Sequence, residues 1–418
     1  MVRATDRSNI SGSAECSFVD LADSVRVAIM ITPKGRGSFR EQAREALAVM
    51  QSILTRRSGV RLTVQTIFLR NSAELTEIQS ILAGCYGSEL PITNYVLQPP
   101  CCGAALAVEA WGIGGESVRI ERFGPETLAV SYDGVRWIYC AGIRPAANLR
   151  GVYVQSMDAL AQMRAALALA GSGFENIVRT WFYLGGITDP EGDTYRYQEL
   201  NRARADFYQD IHFCPSLVSA NAPRGVYPAS TGIGISGEGL VTSCVALETK
   251  RNGVFLVPLE NPQQTPAYTY HPRFSNQSPK FTRAMALVLG DYVTTWVSGT
   301  ASIVNAESRH PNDIERQTEQ AIENIERLIA AENFALHGLN GAGASLRDMA
   351  KVRIYLKRPD DFAKCKAICE RRFGPVPAIY AVADVCRPEL LVEIEGVAFS
   401  RCSPSEAAVA KKTRCGNG

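Results

Sequence analysis

The sequence lacks the features that would identify a nucleic-acid-binding, membrane or secreted protein. Its 418 residues include 44 Lys and Arg against 42 Asp and Glu, a net charge of +2, whereas nucleic-acid binders usually have a basic surplus. No apolar run approaches the roughly 20 residues that a membrane helix needs. The N-terminal stretch is polar and has no apolar segment of a secretory signal. These absences predict a cytoplasmic protein that binds neither nucleic acid nor membrane.

Histidine is scarce, and cysteine forms no recognisable framework. The four histidines have no metal-ligand spacing, and no serine lies in a nucleophile-elbow context. Among the 12 cysteines, Cys365 and Cys369 lie one helical turn apart, but no second pair completes a zinc site. We therefore expect reduced, mostly buried thiols, no metal and no organic cofactor.

The strongest positive signal is a unit of strand, helix, strand, helix and strand that occurs three times. In the third copy, a strand at 294–299 precedes an amphipathic helix that begins near Pro311, and a strand at 390–397 closes the unit. In the middle copy, residues 170–174 and 181–184 match 342–346 and 353–356, both at an offset of 172 (342 minus 170). The ordered matches indicate an internal repeat.

A degenerate copy lies in front, where residues 106–113 match 390–397 and place Cys102 on Cys386 and Glu109 on Glu393. Because one small unit cannot cover both faces of its sheet, three copies predict an α/β (α+β) protein folded as an intrachain pseudo-trimer, and hence a monomer. The expected organisation is a disordered N-terminus at 1–22, units at 23–125, 126–249 and 284–402, a substrate-closing loop at 250–283, and a flexible tail at 403–418.

Glu393 is the most informative carboxylate. The period of two along a strand puts Glu393 and Glu395 on one face of the sheet. That face is either solvated or turned to a cleft between units, where partial burial would raise the pKa of Glu393 and make it a proton donor. Cys386 either lines the same cleft or is an ordinary buried thiol. Arg353 and Arg387 either hold carboxylates by bidentate hydrogen bonds or lie on the surface.

The turn at 343–346 (GASL) and the strands at 352–356 (VRIYL) and 391–395 (LVEIE) carry a further similarity. In these stretches the third unit resembles the small reactive-intermediate deaminase (RidA/YjgF-like) superfamily, whose fold is chorismate-mutase-like. Within that superfamily, the chain resembles the chorismatases between about residues 97 and 402. The resemblance rests on five stretches, namely 227–234 (YPASTGIG), 260–264 (ENPQQ), 278–284 (SPKFTRA), 298–302 (SGTAS) and 383–396 (ADVCRPELLVEIEG). The longer front unit departs from the shorter members of that family.

The resemblance implies an enzyme that splits chorismate into pyruvate and a ring product, with Glu393 protonating the enolpyruvyl methylene. Members that form 3-hydroxybenzoate pair a glycine with a cysteine, here Gly299 and Cys386. The glycine leaves room for attack by the ring hydroxyl, and the thiol helps to open an arene oxide. The further residues expected to bind chorismate are Arg283, Arg353 and Arg387 for the carboxylates, Tyr268 and Tyr270 as a cover over the ring, and Thr300, Ala301 and Tyr380.

Several alternatives stay open at this point. Chorismate hydrolysis to a dihydroxycyclohexadiene acid, or formation of 4-hydroxybenzoate, would keep the family and change the product. Imine deamination, the activity of single-unit relatives, is disfavoured because residues 378–381 lack the arginine found there. A non-catalytic metabolite-binding scaffold is a third class. We expect one active site, with Glu109 structural, since the second unit has Val241 or Thr242 at the matching position.

Overall fold

The chain folds into three sheets of six strands, each with helices packed on one face. The computed structural model describes residues 3–9, 14–21, 24–34, 36–57, 59–218, 226–271 and 277–402. The predicted tail at 403–418 lies outside them. Within these ranges, no helix combines the length and apolar character that crossing a bilayer requires.

The elements follow one another in the order that the repeat predicts. The first unit contains strands β1 (Arg3–Asn9), β2 (Ala14–Asp20), β3 (Val25–Ile31), β4 (Arg61–Leu69), β5 (Ile92–Val96) and β6 (Leu106–Gly114), and helices α1 (Phe39–Arg56) and α2 (Leu75–Tyr86).

The second unit contains β7 (Arg119–Arg122), β8 (Thr127–Tyr132), β9 (Val135–Ile143), β10 (Ile177–Gly185), the short ribbon β11 (Pro190–Glu191) and β12 (Thr194–Tyr195), β13 (Ala229–Ile235) and β14 (Leu240–Thr249), with helices α3 (Val152–Leu169) and α4 (Arg196–Phe207).

The third unit contains β15 (Val254–Leu259), β16 (Ala284–Leu289), β17 (Tyr292–Ala301), the short ribbon β18 (Ile303–Val304) and β19 (Glu307–Ser308), β20 (Met349–Leu356), β21 (Ala378–Val382) and β22 (Val392–Arg401), with helices α5 (Ile314–Ile329), α6 (Ala331–Leu336) and α7 (Phe362–Phe373).

All three sheets have the same connectivity, which confirms the repeat. Their strand orders are β1-β2-β3-β6-β4-β5, β7-β8-β9-β14-β10-β13 and β15-β16-β17-β22-β20-β21. In each sheet the last strand of the unit inserts between the third and the fourth. The fourth and fifth strands of each sheet pair in parallel (β4–β5, β10–β13 and β20–β21).

Local sequence explains why the helices begin where they do and which face they bury. Ser38 and Glu41 form a capping box at the start of α1, and the side chain of Asp313 caps α5 by accepting from the amide of Arg316. These caps satisfy amide groups that have no partner inside the helix. The predicted apolar stripe of α5, including Ile322 and Ile325, is buried against the third sheet.

The opposite faces of the three sheets meet along the pseudo-threefold axis. Trp137 of the second unit and Trp296 of the third make an edge-to-face contact there, with ring centroids 5.4 Å apart. Their cluster also contains Ile113 of the first unit. Since each sheet is covered by helices on one side and by its neighbours on the other, the three units form one packed body.

The structure differs from the predicted boundaries in three places. Residues 14–20 were expected to be disordered, but they form β2, whose alternating Ala14, Cys16 and Phe18 are buried. Residues 254–259 were assigned to the loop, but they form β15, because Val254 and Leu256 are buried core residues. The second unit also starts at β7, before the expected residue 126.

Candidate active site

An open cavity of about 490 Å³ lies between the second and third units. The second unit contributes α4 and β13, and the third unit contributes the end of β17 and the loop before β22. Seven of the residues expected at the site line this cavity: Tyr270, Arg283, Gly299, Ala301, Cys386, Arg387 and Glu393. The structure therefore brings these seven residues together in one cleft.

Glu393 lies on β22, opposite Ala301 of β17 and Tyr355 of β20, and only 4% of its surface is exposed. Burial, together with the nearby negative charge of Glu395, raises the pKa of Glu393 to about 8. A carboxyl in this setting is largely protonated at neutral pH and can donate a proton. The alternative of a solvated strand face is therefore wrong.

Gly299 gives the Glu393 carboxyl its space. A Cβ at position 299 would overlap Glu393 Oε1 and lie 3.2 Å from Cγ2 of Thr231. Gly299 also lies within an irregularity in the pairing of β17 with β22, between Val297 and Thr300. Such bulges redirect side chains near functional sites. The absence of a side chain at position 299 therefore lets the acid turn into the cavity.

Two buried arginines line the cavity, and each has an N–H group without a hydrogen-bond partner among the described residues. Arg204 and Arg283 are 1% and 3% exposed, and the Nε of each has no hydrogen-bond partner among the described residues. Arg204 donates from Nη2 to the carbonyl of Lys280 at 2.6 Å. Arg283 donates to the hydroxyl of Tyr270 at 2.6 Å. Buried guanidinium groups without a carboxylate partner are suited to an anionic ligand.

Cys386 is partly exposed to the cavity. Burial, reinforced by the charge of Glu393, raises the pKa of its thiol to about 12. The group is therefore a neutral thiol at physiological pH rather than a thiolate nucleophile. Next to it, Arg387 donates to the carbonyl of Ala306 at 2.9 Å and to the hydroxyl of Ser308 at 3.1 Å.

Four of the residues expected to bind the substrate lie elsewhere, and these predictions are wrong. Arg353 is buried between Glu109 and Glu395, which already occupy its guanidinium. Thr300 alternates with Gly299 and Ala301 and turns away from the cavity, and its hydroxyl donates to the carbonyl of Ser298 at 2.9 Å.

The other two are tyrosines. Tyr268 packs against Tyr227, with ring centroids 5.6 Å apart, and is not part of the cavity lining. Tyr380 packs against Phe362, with centroids 5.3 Å apart, in a second cleft between the third and first units. Both residues were selected for their chemistry, which carries no information about the packing partner.

Sequence reasoning missed Arg204, together with Tyr197 and Asn201, all of which line the cavity from α4. A usable signal was present in the sequence. Asn201 and Arg204 lie one turn apart on the helix face that also buries Leu200 and Ala203. Polar residues on a buried helix face need partners, and that requirement often marks a binding site.

The other two clefts differ from the first. The cleft between the third and first units has a volume of about 590 Å³ and is lined by Cys102, Lys366 and Tyr380. Glu109 is not part of that lining and instead borders the small central cavity. Between the first and second units, the amide of Gly142 donates to Asn94 Oδ1 at 2.6 Å, and a Cβ at Gly142 would lie 2.8 Å from the carbonyl of Thr93.

Glu109 has the opposite electrostatic environment to Glu393. Although burial opposes ionisation, Arg353 and Lys351 lower the pKa of Glu109 to about 2. Its carboxylate accepts from Lys351 Nζ at 2.6 Å and from the guanidinium of Arg353. The matching position in the second unit is Val241, which pairs with Tyr183 as Glu393 pairs with Tyr355. Among these three matching positions, only that of the third unit therefore holds a carboxyl that can act as an acid.

The remaining cysteines give no sign of a metal centre. The Sγ atoms of Cys365 and Cys369 lie 3.9 Å apart inside the third unit. In the ranges that the structure covers, no cluster of His, Cys, Asp and Glu has the arrangement needed to hold a metal ion.

Comparison with known proteins gives three findings. The family model for endoribonuclease L-PSP matches residues 280–400, most of the third unit. A 3-hydroxybenzoate synthase of Streptomyces hygroscopicus is 32% identical over 302 residues, 69% of this chain and 80% of that protein. A chorismatase of Streptomyces rapamycinicus is 32% identical over 285 residues, 64% of this chain and 78% of that protein.

A solved structure extends the similarity to the whole fold. The crystal structure of a chorismatase at 1.08 Å resolution superposes with a TM-score of 0.63 and covers 91% of this chain and all of that chain. Its sequence identity is 18%, so the match supports the architecture alone. The front unit therefore has a counterpart in that protein, which the sequence did not lead us to expect.

The protonation states at the site give the first testable prediction. The infrared spectrum of the wild type should show a carboxylic-acid band from Glu393 at neutral pH, which the variant Glu393→Gln should lack. The band should titrate near pH 8, because burial and the charge of Glu395 disfavour the ionised form of Glu393. Glu109→Gln should leave the band in place, since Glu109 is already ionised. A wild-type spectrum without any such band at neutral pH would show that Glu393 is not a protonated acid.

Proposed function

The chain belongs to the chorismatase family, and we propose that it splits chorismate into pyruvate and 3-hydroxybenzoate in the cleft between its second and third units. It is an enzyme of that family, which acts on chorismate. The observation that carries the proposal is the buried carboxyl of Glu393, which lines the same cavity as two buried arginines.

The proposed first step is proton transfer from Glu393 to the terminal methylene of the enolpyruvyl group. A vinyl ether is stable in neutral water because protonation at carbon is slow, so a positioned acid with a pKa near the working pH accelerates that step. Protonation produces an oxocarbenium ion, which weakens the bond between the ring carbon C3 and the ether oxygen. The negative charge left on Glu393 then stabilises the nearby cation.

Arg204 and Arg283 are proposed to bind the two carboxylates of chorismate. Both lie in the cavity lining with an Nε that has no hydrogen-bond partner in the described part of the chain, and each can form charge-assisted hydrogen bonds with a carboxylate. They approach from different units, Arg204 from α4 and Arg283 just before β16. Two anchors at separate points would fix the orientation of the ring relative to Glu393.

The ring product is proposed to follow from attack by the substrate's own hydroxyl. The oxygen on C4 bonds to C3 as the C3–O bond to the pyruvyl group breaks, which releases pyruvate and leaves an arene oxide. The hydroxyl proton returns to the Glu393 carboxylate. No water is consumed, because chorismate contains all the atoms of pyruvate and 3-hydroxybenzoate.

Opening of the arene oxide is assigned to Cys386, whose thiol stays protonated at neutral pH. The thiol gives its proton to the epoxide oxygen as the C4–O bond breaks, and the resulting thiolate takes the proton from C3, which restores the thiol and makes the ring aromatic. The oxygen remains on C3, which gives 3-hydroxybenzoate. Cys386 lies in the same cavity as Glu393, so both groups can reach one substrate.

Turnover of chorismate by the purified protein tests the reaction. Wild type should release pyruvate and 3-hydroxybenzoate in equal amounts, measured by chromatography and mass. Glu393→Gln should lower kcat by at least on the order of 100-fold, the range expected on losing a general acid. Glu109→Gln is the matched control and should be less stable, because it leaves buried cations unpaired, but its folded fraction should turn over.

Other outcomes separate the remaining readings. Pyruvate with a dihydroxycyclohexadiene acid or with 4-hydroxybenzoate would retain the reaction class and overturn the product. Chorismate binding without pyruvate release would favour a non-catalytic scaffold. Activity that survives Glu393→Gln and is lost only with Glu109→Gln would move the active site to the first unit.

The assignment of Cys386 gives a prediction about product identity. Cys386→Ala should still release pyruvate, because protonation by Glu393 does not involve the thiol. Its ring products should shift away from 3-hydroxybenzoate towards water-derived or isomeric products, as measured by chromatography and mass. Cys369→Ala, a buried thiol of the third unit outside this cavity, is the control and should keep the wild-type product. An unchanged product from Cys386→Ala would remove the thiol from the mechanism.

The assignment of Arg204 gives a prediction about substrate affinity. Arg204→Met should raise KM for chorismate on the order of 10- to 100-fold, since a hydrogen bond to a charged group contributes about 1.5–3 kcal/mol, and should change kcat less. Arg202→Met, on the exposed side of the same helix and paired with Glu199, should leave KM unchanged. An equal KM for both variants would exclude Arg204 as an anchor.

A further inference from the structure

The pseudo-threefold repeat places two equivalent pairs of residues in different environments. Residues 109 and 111 of the first unit correspond to 393 and 395 of the third, since Glu109 falls on Glu393 in the matched strands. Each pair faces the fourth strand of the neighbouring unit. Glu109 contacts Lys351 and Arg353 on β20, and Glu395 contacts Arg179 and Trp181 on β10. The environment of Glu109 can therefore be compared directly with that of Glu393, the equivalent residue in the same chain.

In the first unit, the carboxylate at the first position takes the cations. Lys351 Nζ lies 2.6 Å from Glu109 Oε1, and the guanidinium of Arg353 binds both carboxylate oxygens. The next residue on the same face is Trp111, which has no charge and donates its Nε1 to Glu109 at 3.2 Å. With two cations bound, Glu109 is ionised.

In the third unit, the carboxylate that pairs with the cations is Glu395, the second residue of the matching pair. Glu395 Oε2 accepts from Arg179 Nη2 at 2.5 Å and from Trp181 Nε1 at 2.8 Å. Glu395 Oε1 lies 3.0 Å from Arg353 Nη1 and accepts from the hydroxyl of Tyr355 at 3.1 Å. Thr231 also donates to Oε2. Among the described residues, no lysine or arginine is within ion-pair distance of Glu393.

We propose that Glu395 is a positioning residue that holds Arg179 away from Glu393 and thereby keeps Glu393 protonated. The proposal rests on the proposed function, in which Glu393 is the proton donor. Arg179 corresponds to Lys351 at the repeat offset of 172 (351 minus 179), and Lys351 is the residue that pairs directly with Glu109. Without a carboxylate at position 395, Arg179 would face Glu393 as Lys351 faces Glu109.

The charged groups around Glu393 come from every element packed against it. Glu395 raises the pKa of Glu393, whereas Arg179 and Arg283 lower it. The neutral thiol of Cys386 and the neutral phenol of Tyr197 also face Glu393, and Lys351, Arg353 and Tyr355 reach it through Glu395. Glu395 contacts both Arg179 and Arg353. Because Arg353 is also bound by both carboxylate oxygens of Glu109, a change at 395 acts mainly through Arg179.

The pH dependence of kcat for pyruvate release tests the proposal. Because the acid must be protonated, kcat of wild type should fall above about pH 8, the pKa of Glu393. Glu395→Gln frees Arg179 to pair with Glu393 and removes a neighbouring negative charge, so this alkaline limb should move to lower pH. Since each unit of displacement is tenfold in the proton equilibrium, a limb moved down by about two to three units would lower the protonated fraction at pH 7, and with it kcat, about 10- to 100-fold, and kcat should recover as the pH is lowered.

A charge-balanced double variant separates this role from simple damage to the fold. Glu395→Gln combined with Arg179→Met removes both charges of the pair, a change that buried pairs often tolerate, and should return the limb towards its wild-type position. Arg179→Met alone should leave the limb at or above that position. Glu248→Gln, which breaks the Arg136–Glu248 pair in the second unit, should not move it.

The outcomes distinguish this inference from the function on which it rests. A limb that stays in place in Glu395→Gln, or a double variant that behaves like the single one, would overturn the positioning role while leaving Glu393 as the acid. Should Glu395→Gln fail to fold, the double variant and Arg179→Met decide, since a downward shift of the limb in either would contradict the proposal. Full activity of Glu393→Gln would instead overturn the proposed function itself.

Discussion

The structure depends on five buried charges where the three units meet. Arg179 of the second unit, Lys351, Arg353 and Glu395 of the third, and Glu109 of the first are each at most 3% exposed. Taking such groups out of water costs several kcal/mol per ion unless each finds a partner. Arg353 and Glu395 pair within the third unit, but Arg179, Lys351 and Glu109 each find an oppositely charged partner in a neighbouring unit. No unit therefore satisfies all of its own charges alone. The cluster therefore ties the fold of the pseudo-trimer to the electrostatics of the neighbouring cleft.

A single chain also allows the three clefts to diverge, which three copies of one subunit could not do. In the second unit Val241 replaces the acid, and the backbone of Gly142 closes against Asn94 and Thr93 of the first unit. In the first unit the acid is present but ionised. Only the third unit combines a protonated carboxyl, an open cavity and the glycine that makes room for it. The differences lie in a few side chains on a shared backbone, so the fold constrains the geometry and individual residues select the chemistry.

The sequence predicted the architecture well because periodicity and repeats report directly on burial. The strand expected at 390–397 is β22 (Val392–Arg401), and the alternation along it placed Glu393 and Glu395 on one face. The strand Ala14–Asp20 was missed because a short alternating segment in a polar stretch resembles a terminus. At the site, Arg353 was assigned to the substrate because the sequence around it does not reveal that its guanidinium pairs with Glu109, a carboxylate of another unit. Arg204 was missed for the converse reason, since only the assembled cleft shows that its Nε has no hydrogen-bond partner among the described residues.

The proposed chemistry needs an environment that holds protons on two groups while keeping two arginines charged. Burial raises the pKa of Glu393 and of Cys386 and so keeps both groups protonated, but it also opposes the charge of a buried guanidinium such as that of Arg283. Guanidinium groups tolerate this because their pKa is high enough to survive desolvation, whereas a lysine in the same position would lose its proton more readily. Lys351, whose pKa burial lowers to about 8 despite its contact with Glu109, illustrates the difference within this protein. In the proposed reaction, the two carboxylates of chorismate pair with Arg204 and Arg283 and so offset the free energy that it costs to bury these two cations. Binding also places the enolpyruvyl ether next to the protonated carboxyl of Glu393.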